Sequence, residues 1–369
     1  MFGINVEYKK QEGASYPIFN KNIKGKKVLA VCDVNTEKFF LPLLEEIKPI
    51  VDSIKFLKFD DEELVPDETA YGRMEQEVKG CDWILVAGSG TLNDLGKYVG
   101  AKCGVKNSTL ATAPSMDGFI STVAAIMTGG KKVTLPAQSP SDILVDPEIL
   151  AKAPAHMIGA GVGDILGKYN SVLDWRLANL KNGEPINEES IALTLKAVDD
   201  VLINMDKILE YNPQGMVYLM DALITSGYAM VIAGNSRPAS GGEHHTSHYL
   251  EMDFVKKGLP VPLHGIKVGL GTLVCISIYR WLKDNDVKFT NSDKVYELVD
   301  KLPKEEEIIS HLKRLNTPVT YTEIGVDKAL LEEMLLNAYT VRERYTVLSL
   351  CKELDIMKDV VPMLVEKYL

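Results

Sequence analysis

A change of texture partway along the chain constrains the fold more than any other feature. From Gly25 onward, apolar runs alternate with helical patterns: Val28-Leu-Ala-Val-Cys32, Ser53-Ile-Lys-Phe-Leu-Lys-Phe59, Trp83-Ile-Leu-Val-Ala87, Ser108-Thr-Leu-Ala-Thr112, Lys132-Val-Thr-Leu135 and Asp142-Ile-Leu-Val145. Short runs of consecutive apolar residues suit strands buried on both faces, and the helical stretches between them, such as residues 37–50, suit the crossovers of a parallel sheet. After about Pro154 such runs cease, and long helical periodicities broken by short loops take over. The expected organisation is an α/β domain with a parallel sheet over residues 1–153, followed by an all-α domain over residues 154–369. A chain of 369 residues is long enough for two cores.

Charge and cysteines narrow the setting. A net charge of −10 argues against general affinity for nucleic acid or an anionic membrane, but leaves room for a small anionic ligand in a local cationic pocket. Five scattered cysteines without a Cys-x-x-Cys pair suit a reducing, cytoplasmic setting. The stretch Met1–Lys10 has no apolar run of signal-peptide length, and no segment is expected to span a membrane. Lys304-Glu-Glu-Glu307 reads as a solvated helix face.

Four of the six histidines, His244, His245, His248 and His264, fall within 21 residues. In Ser240-Gly-Gly-Glu-His-His-Thr-Ser-His248, Ser240 and Glu243 have the spacing of a capping box, placing the histidines in the first two turns of a helix. Residues four apart share a helix face, so His244 and His248 can point the same way, while His245 lies about 100° round the axis. One cation can be held by this helix with His264 reaching in from the next segment. Asp164, expected at the start of a helix and four residues before Lys168, serves either as a third ligand or as an N-terminal cap. Two imidazoles and a carboxylate leave coordination positions open, as in a catalytic site.

Gly88 and Gly90 mark a strand-to-helix turn whose amides can approach a phosphate at the positive end of the next helix. Asp33, at the end of an early strand, serves either as a turn cap or as an acceptor for an adenosine ribose; in the second role its charge favours NAD(H) over NADP(H). Ser115-Met-Asp-Gly-Phe-Ile-Ser121 follows the fourth strand, a position where such sheets bind ligands.

Five motifs then occur in one order: Gly88-Ser-Gly-Thr-Leu-Asn-Asp-Leu-Gly-Lys97, Ala113-Pro-Ser-Met-Asp-Gly-Phe-Ile-Ser121, Gly161-Val-Gly-Asp-Ile-Leu-Gly-Lys168, Glu243-His-His-Thr-Ser-His-Tyr-Leu-Glu251 and Leu263-His-Gly-Ile-Lys-Val-Gly269. Over residues 25–275 the chain resembles the sn-glycerol-1-phosphate dehydrogenases of the iron-dependent alcohol dehydrogenase and dehydroquinate synthase superfamily. The resemblance implies a dehydroquinate synthase-like fold, with an amino-terminal NAD(P)-binding domain and a helical metal- and substrate-binding domain. It implies metal ligation by Asp164, His244 and His264. His244 is preferred to His245 because His248 and Glu251 match the family's His-x-x-Glu, with the ligand four places before that histidine. It implies pyrophosphate contacts from Gly88, Ser89, Gly90, Thr91 and Asp94, and further cofactor contacts from Thr112, Ser115 and Ser121. Asp117 is expected on substrate hydroxyls, and His248 as a relay whose ordinary pKa lies near neutrality. Lys168, Arg237 and His245 are expected on a substrate phosphate.

The implied reaction is reversible, metal-dependent reduction of dihydroxyacetone phosphate by NADH, with NADPH as second choice and zinc ahead of nickel and iron. The expected partner is a small phosphorylated substrate, in a homo-oligomer of at least two copies. The alternatives are a glycerol dehydrogenase acting on the free polyol and, ranked lower, a dehydroquinate-synthase-like cyclase. Against the cyclase, Glu-His-His-Thr-Ser-His replaces that enzyme's Gly-His-Thr-x-Gly-His, and Asp164 stands where it has glutamate.

Overall fold

The computed structural model describes residues 3–129 and 131–369. Among the described residues eight strands occur, in chain order β1 (Asn5–Tyr8), β2 (Lys27–Asp33), β3 (Ser53–Phe59), β4 (Trp83–Gly88), β5 (Lys106–Ala111), β6 (Val123–Thr128), β7 (Lys131–Pro136) and β8 (Asp142–Val145). Six of them form one sheet in the order β1-β8-β5-β4-β2-β3, parallel throughout. Side chains of a strand alternate between its two faces. Accordingly Val28, Ala30 and Cys32 enter one core with Phe40, Leu43 and Ile47, while Leu29 and Val31 enter the other with Leu92, Leu95 and Val99. The consecutive apolar runs reflect these two cores, and the parallel α/β fold is as expected.

Two elements depart from that expectation. Lys132–Leu135 was expected to continue the parallel sheet, but β7 pairs antiparallel with β6 in a separate two-stranded ribbon. Its burial alternates along the strand, as a ribbon with one covered face requires. The edge strand β1 carries no apolar run. It is held by its ladder to β8, and the buried Glu7 accepts from the amides of Ile18 and Phe19 at 3.0 and 2.9 Å.

The chain divides into two compact units, one of Met1–Pro154 with Glu210–Met220 and the other of Ala155–Leu209 with Asp221–Leu369. In the first, strand order reverses between β2 and β4, and register places Val31 opposite Val86. Asp33 and Gly88, each two residues further on, therefore end level at the carboxyl edge of the sheet, beside the switch point where open α/β sheets take ligands.

All regular structure in the second unit is helical. Its longest helix, Ala155–Asn182, packs against His264–Asp284 through glycines: a Cβ on Gly163 would lie 2.4 Å from the Gly265 carbonyl oxygen, and one on Gly265 only 1.8 Å from that of Ala160. Backbone meets backbone there, and Asp164 and His264 sit beside the crossing. Among the described residues two helices are long and apolar enough to cross a membrane, contrary to the expectation that no segment would be, namely Pro213–Ala233 and His264–Asp284. The apolar window of the second is 89% buried, which makes it a core helix. In the charge run 304–307, Glu305 is not solvated as expected: it is buried and accepts from Ser277 Oγ at 2.6 Å and Tyr368 Oη at 2.5 Å.

Candidate metal centre and cofactor turn

The histidine helix runs from Gly242 to Lys257, and its N-cap is Gly241, not Ser240. Glu243 does reach back, accepting from the Gly241 amide at 2.7 Å, but the Ser240 hydroxyl makes no hydrogen bond. The partner carboxylate at this helix start is Asp174, whose Oδ2 accepts from the Gly242 amide at 2.6 Å. Asp174 Oδ1 accepts from Tyr279 Oη at 2.5 Å and from the Val347 amide at 2.8 Å, while Asn170 donates to both Asp174 and Glu243. Two buried carboxylates thus meet the positive end of the helix. Burial, aided by Asp174, pushes the Glu243 carboxyl up to about 7.

Asp164, His244 and His264 each bring one donor atom into a group within 4.8 Å of one another. Asp164 lies in the third turn of its helix, not at the start, so the capping alternative falls away. His244 Nε2 stands 3.2 Å from His264 Nε2 and 4.0 Å from Asp164 Oδ1. His244 Nδ1 faces Glu243 Oε1 at 2.8 Å; when Glu243 is ionised it can only accept, which puts the proton on Nδ1 and leaves the Nε2 lone pair pointing into the group. With metal–nitrogen bonds of 2.0–2.1 Å, two donors on a tetrahedral ion are about 3.3 Å apart, so the residues present fit a small divalent cation. Burial, then the neighbouring His264 and Lys168, hold His244 well below its ordinary pKa, and a neutral imidazole is the form that binds metal.

His248 closes a triangle of rings, with centroids 6.1 Å from His244 and 6.0 Å from His264. The near-neutral pKa expected of it does not hold: burial, then Arg342, drive it well below 6.5. Arg342 Nη2 approaches His248 Nε2 at 3.4 Å, and because a guanidinium only donates, the imidazole is neutral with its proton on Nδ1.

Lys168 is fully buried and pairs with Asp164 Oδ1 at 2.6 Å. Arg237 is gripped by Glu184 through Nε and Nη2, and Nη1 donates to the Tyr345 carbonyl at 3.1 Å. His245 is buried with neither ring nitrogen hydrogen-bonded, and burial followed by Arg342, Arg344 and Arg237 pulls its pKa down to about 3.

In the first unit, β4 ends at Gly88 and a helix starts at Gly90 with Ser89 as its N-cap. A Cβ on Gly90 would meet nothing within 4 Å, so the outer side of the turn is open to a ligand at the helix amides. Ser89 Oγ bonds Ser115 Oγ at 2.6 Å, and the Thr112 amide donates to the Gly88 carbonyl at 3.1 Å, which joins the two motifs. Asp94 accepts from the Ala125 amide at 3.0 Å and pairs with Lys97, while Ser121 Oγ accepts from Lys97 at 2.8 Å. Asp117 is buried just before the single turn Gly118–Ile120, whose first carbonyl Lys97 also binds, at 2.9 Å. Asp33 Oδ1 accepts from the amides of Asn35 and Thr36 and from Thr36 Oγ, so the turn-cap role is real and uses one carboxylate oxygen.

Sequence reasoning missed Asp174, Asn170, Lys97, Arg342 and Arg344. An acid set in the apolar stretch Val172-Leu-Asp-Trp175 was a usable signal for Asp174. The two arginines lie outside the five motifs.

Residues 15–154 match the family model for iron-containing alcohol dehydrogenases. A glycerol-1-phosphate dehydrogenase of Bacillus licheniformis, named for NAD(P)+, is 33% identical over 92% of this chain and 86% of its own. The enzyme of the same name from Bacillus subtilis is 30% identical over 93% and 90%. Among solved structures, a probable glycerol dehydrogenase from Sinorhizobium meliloti superposes with a TM-score of 0.67 at 18% identity, covering 99% of this chain and 96% of the other, a likeness of fold.

Proposed function

The chain belongs to the glycerol-1-phosphate dehydrogenase family, and from that premise we propose that it reversibly reduces dihydroxyacetone phosphate to sn-glycerol 1-phosphate with NAD(P)H. The observation that carries this reading is the convergence of Asp164, His244 and His264, with an imidazole lone pair aimed into a space of metal-site dimensions. A divalent cation held by Asp164, His244 and His264 would supply Lewis acidity at the carbonyl oxygen, and a bound nicotinamide would supply the reducing equivalent.

The chain's own residues do the rest. Glu243 orients His244 and fixes its tautomer, and Lys168 offsets the charge of Asp164. His248, neutral with its proton on Nδ1 and Nε2 accepting from Arg342, orients the water that protonates the nascent hydroxyl and does not itself store a proton. Asp117 holds substrate hydroxyls. The Gly88-Ser-Gly90 turn, with Thr91, Asp94, Thr112, Ser115 and Ser121, frames the cofactor, and Asp33 sets the preference for NADH. Zinc is the first choice of metal, ahead of nickel and iron, and the enzyme works in the cytoplasm as a homo-oligomer.

The test is a kinetic comparison of dihydroxyacetone phosphate with free dihydroxyacetone, using each nicotinamide and each metal, together with elemental analysis of His264→Ala. Selective turnover of the phosphate ester, and loss of metal with nearly all activity in the variant, are expected. Preference for the free ketone would make this a glycerol dehydrogenase, and unchanged metal content in the variant would remove His264 from the ligand set.

A further inference from the structure

Arg342 and Arg344 follow the short turn Ala338–Thr340 and flank Glu343, which is exposed while both arginines are half-buried. The chain bends between them, with the Arg344 amide donating to the Arg342 carbonyl at 2.8 Å. Arg344 Nη1 donates to the Ser240 carbonyl at 3.1 Å and Nη2 to Ser236 Oγ at 2.8 Å, which fastens it to the segment leading into the histidine helix. Arg342 reaches the edge of the metal group at His248.

Their partners set them apart from the cations expected on the phosphate. Lys168 is matched by Asp164 and Arg237 by the Glu184 fork. The hydrogen bonds that hold Arg342 and Arg344 go to an imidazole, a carbonyl and a hydroxyl, so no carboxylate neutralises either guanidinium at contact distance among the described residues. Burial, then Arg342 and Arg237, push the Arg344 pKa down to about 10, against the weaker opposing pull of Glu184 and Glu243. His245, which feels the charge of Arg342 and Arg344, and Ser240, whose carbonyl Arg344 holds, bring buried ring nitrogens and a buried hydroxyl that are all without hydrogen bonds. Buried polar atoms without partners are costly, and guanidiniums match the oxygens of a phosphate in forked geometry. A dianion with several acceptor oxygens would neutralise the arginines and satisfy the orphaned donors together.

We propose that Arg342 and Arg344, with His245 and the Ser240 hydroxyl, receive the phosphoryl group of the substrate and so determine the preference for a phosphorylated over a free ketone. This rests on the reaction proposed above. Lys168 and Arg237 then act as supports, one for the metal-binding carboxylate and one for the Ser236–Ser240 segment.

The test uses the metal-loaded enzyme with Arg342→Gln, Arg344→Gln and the corresponding lysine variants, and inorganic phosphate as a binding probe in calorimetry. Each glutamine variant should lower the ratio of kcat/KM for dihydroxyacetone phosphate to that for dihydroxyacetone by at least about tenfold, mainly through KM, as the loss of one charge-assisted contact predicts. The Kd for inorganic phosphate should rise by a similar factor, with metal content retained. The lysine variants, which keep the charge and lose the fork, should fall between, and they carry the test if a glutamine variant fails to fold. Equal losses on both substrates, or unchanged phosphate binding in folded variants, would overturn the assignment. If the wild-type enzyme binds phosphate through these arginines yet does not reduce dihydroxyacetone phosphate, the reaction is wrong and the anion site stands. If it reduces that substrate and the variants match it, the anion site alone is wrong.

Discussion

Gly265→Ala tests whether the metal centre is positioned by direct contact between two helix backbones. The new methyl carbon would lie 1.8 Å from the Ala160 carbonyl oxygen, 2.6 Å from its carbon and 3.1 Å from Ala160 Cα. All three are main-chain atoms, so no rotamer change relieves the clash. Since side-chain Cβ atoms essentially never approach another atom within 3.0 Å, the crossing must open by about 1.2 Å. Overpacking of this kind costs about 1–3 kcal/mol. For a cooperative unit of roughly 200 residues each kcal/mol moves Tm by about 2–4 °C, so a fall of about 2–12 °C is expected in thermal melts. His264 is the adjacent residue, and metal donors tolerate displacements of only about 0.2 Å, so bound metal measured by elemental analysis should fall with Tm. Gly72→Ala is the control: it lies inside the helix Glu68–Glu77 with open space where the methyl would go, and should stabilise by up to about 1 kcal/mol through helix propensity. A Gly265→Ala protein that melts like the wild type and keeps its metal would refute the argument that this contact sets the spacing of the ligands.

Asp174→Asn should destabilise the protein by at least about 2 kcal/mol in denaturant titration, because all four groups around the carboxylate are donors and an amide nitrogen would face two of them; wild-type stability would deny Asp174 its role at the helix start. Asp33→Ser should narrow the preference for NADH over NADPH in steady-state kinetics, because serine keeps an acceptor for the turn and removes the charge facing a 2′-phosphate. A wild-type enzyme already faster with NADPH would reject that role.

Local pattern was sufficient wherever one element answers to one periodicity. The strands β2, β4 and β5 announce themselves because each is buried on both faces, whereas the edge strand β3 is only partly buried; the Gly88–Gly90 turn is visible because a strand, a glycine pair and a helix follow without interruption. The spacing of His244 and His248 is likewise a property of a single helix, and the ordered motifs were enough to point to the family. Tertiary structure decided whatever depends on residues far apart in sequence. β1 has only four residues and no apolar run, and becomes a strand through β8, which begins at Asp142. Asp174 caps the histidine helix from 68 positions away, a placement that no local motif encodes. Arg237 reads as a free cation until Glu184 is seen in its fork, whereas Arg342 and Arg344, which lie outside every motif, gain a role only when the fold sets them beside His248 and Ser240. Periodicity reports which face of an element is buried; which charges meet there, and whether they are neutralised, is fixed only when distant segments pack.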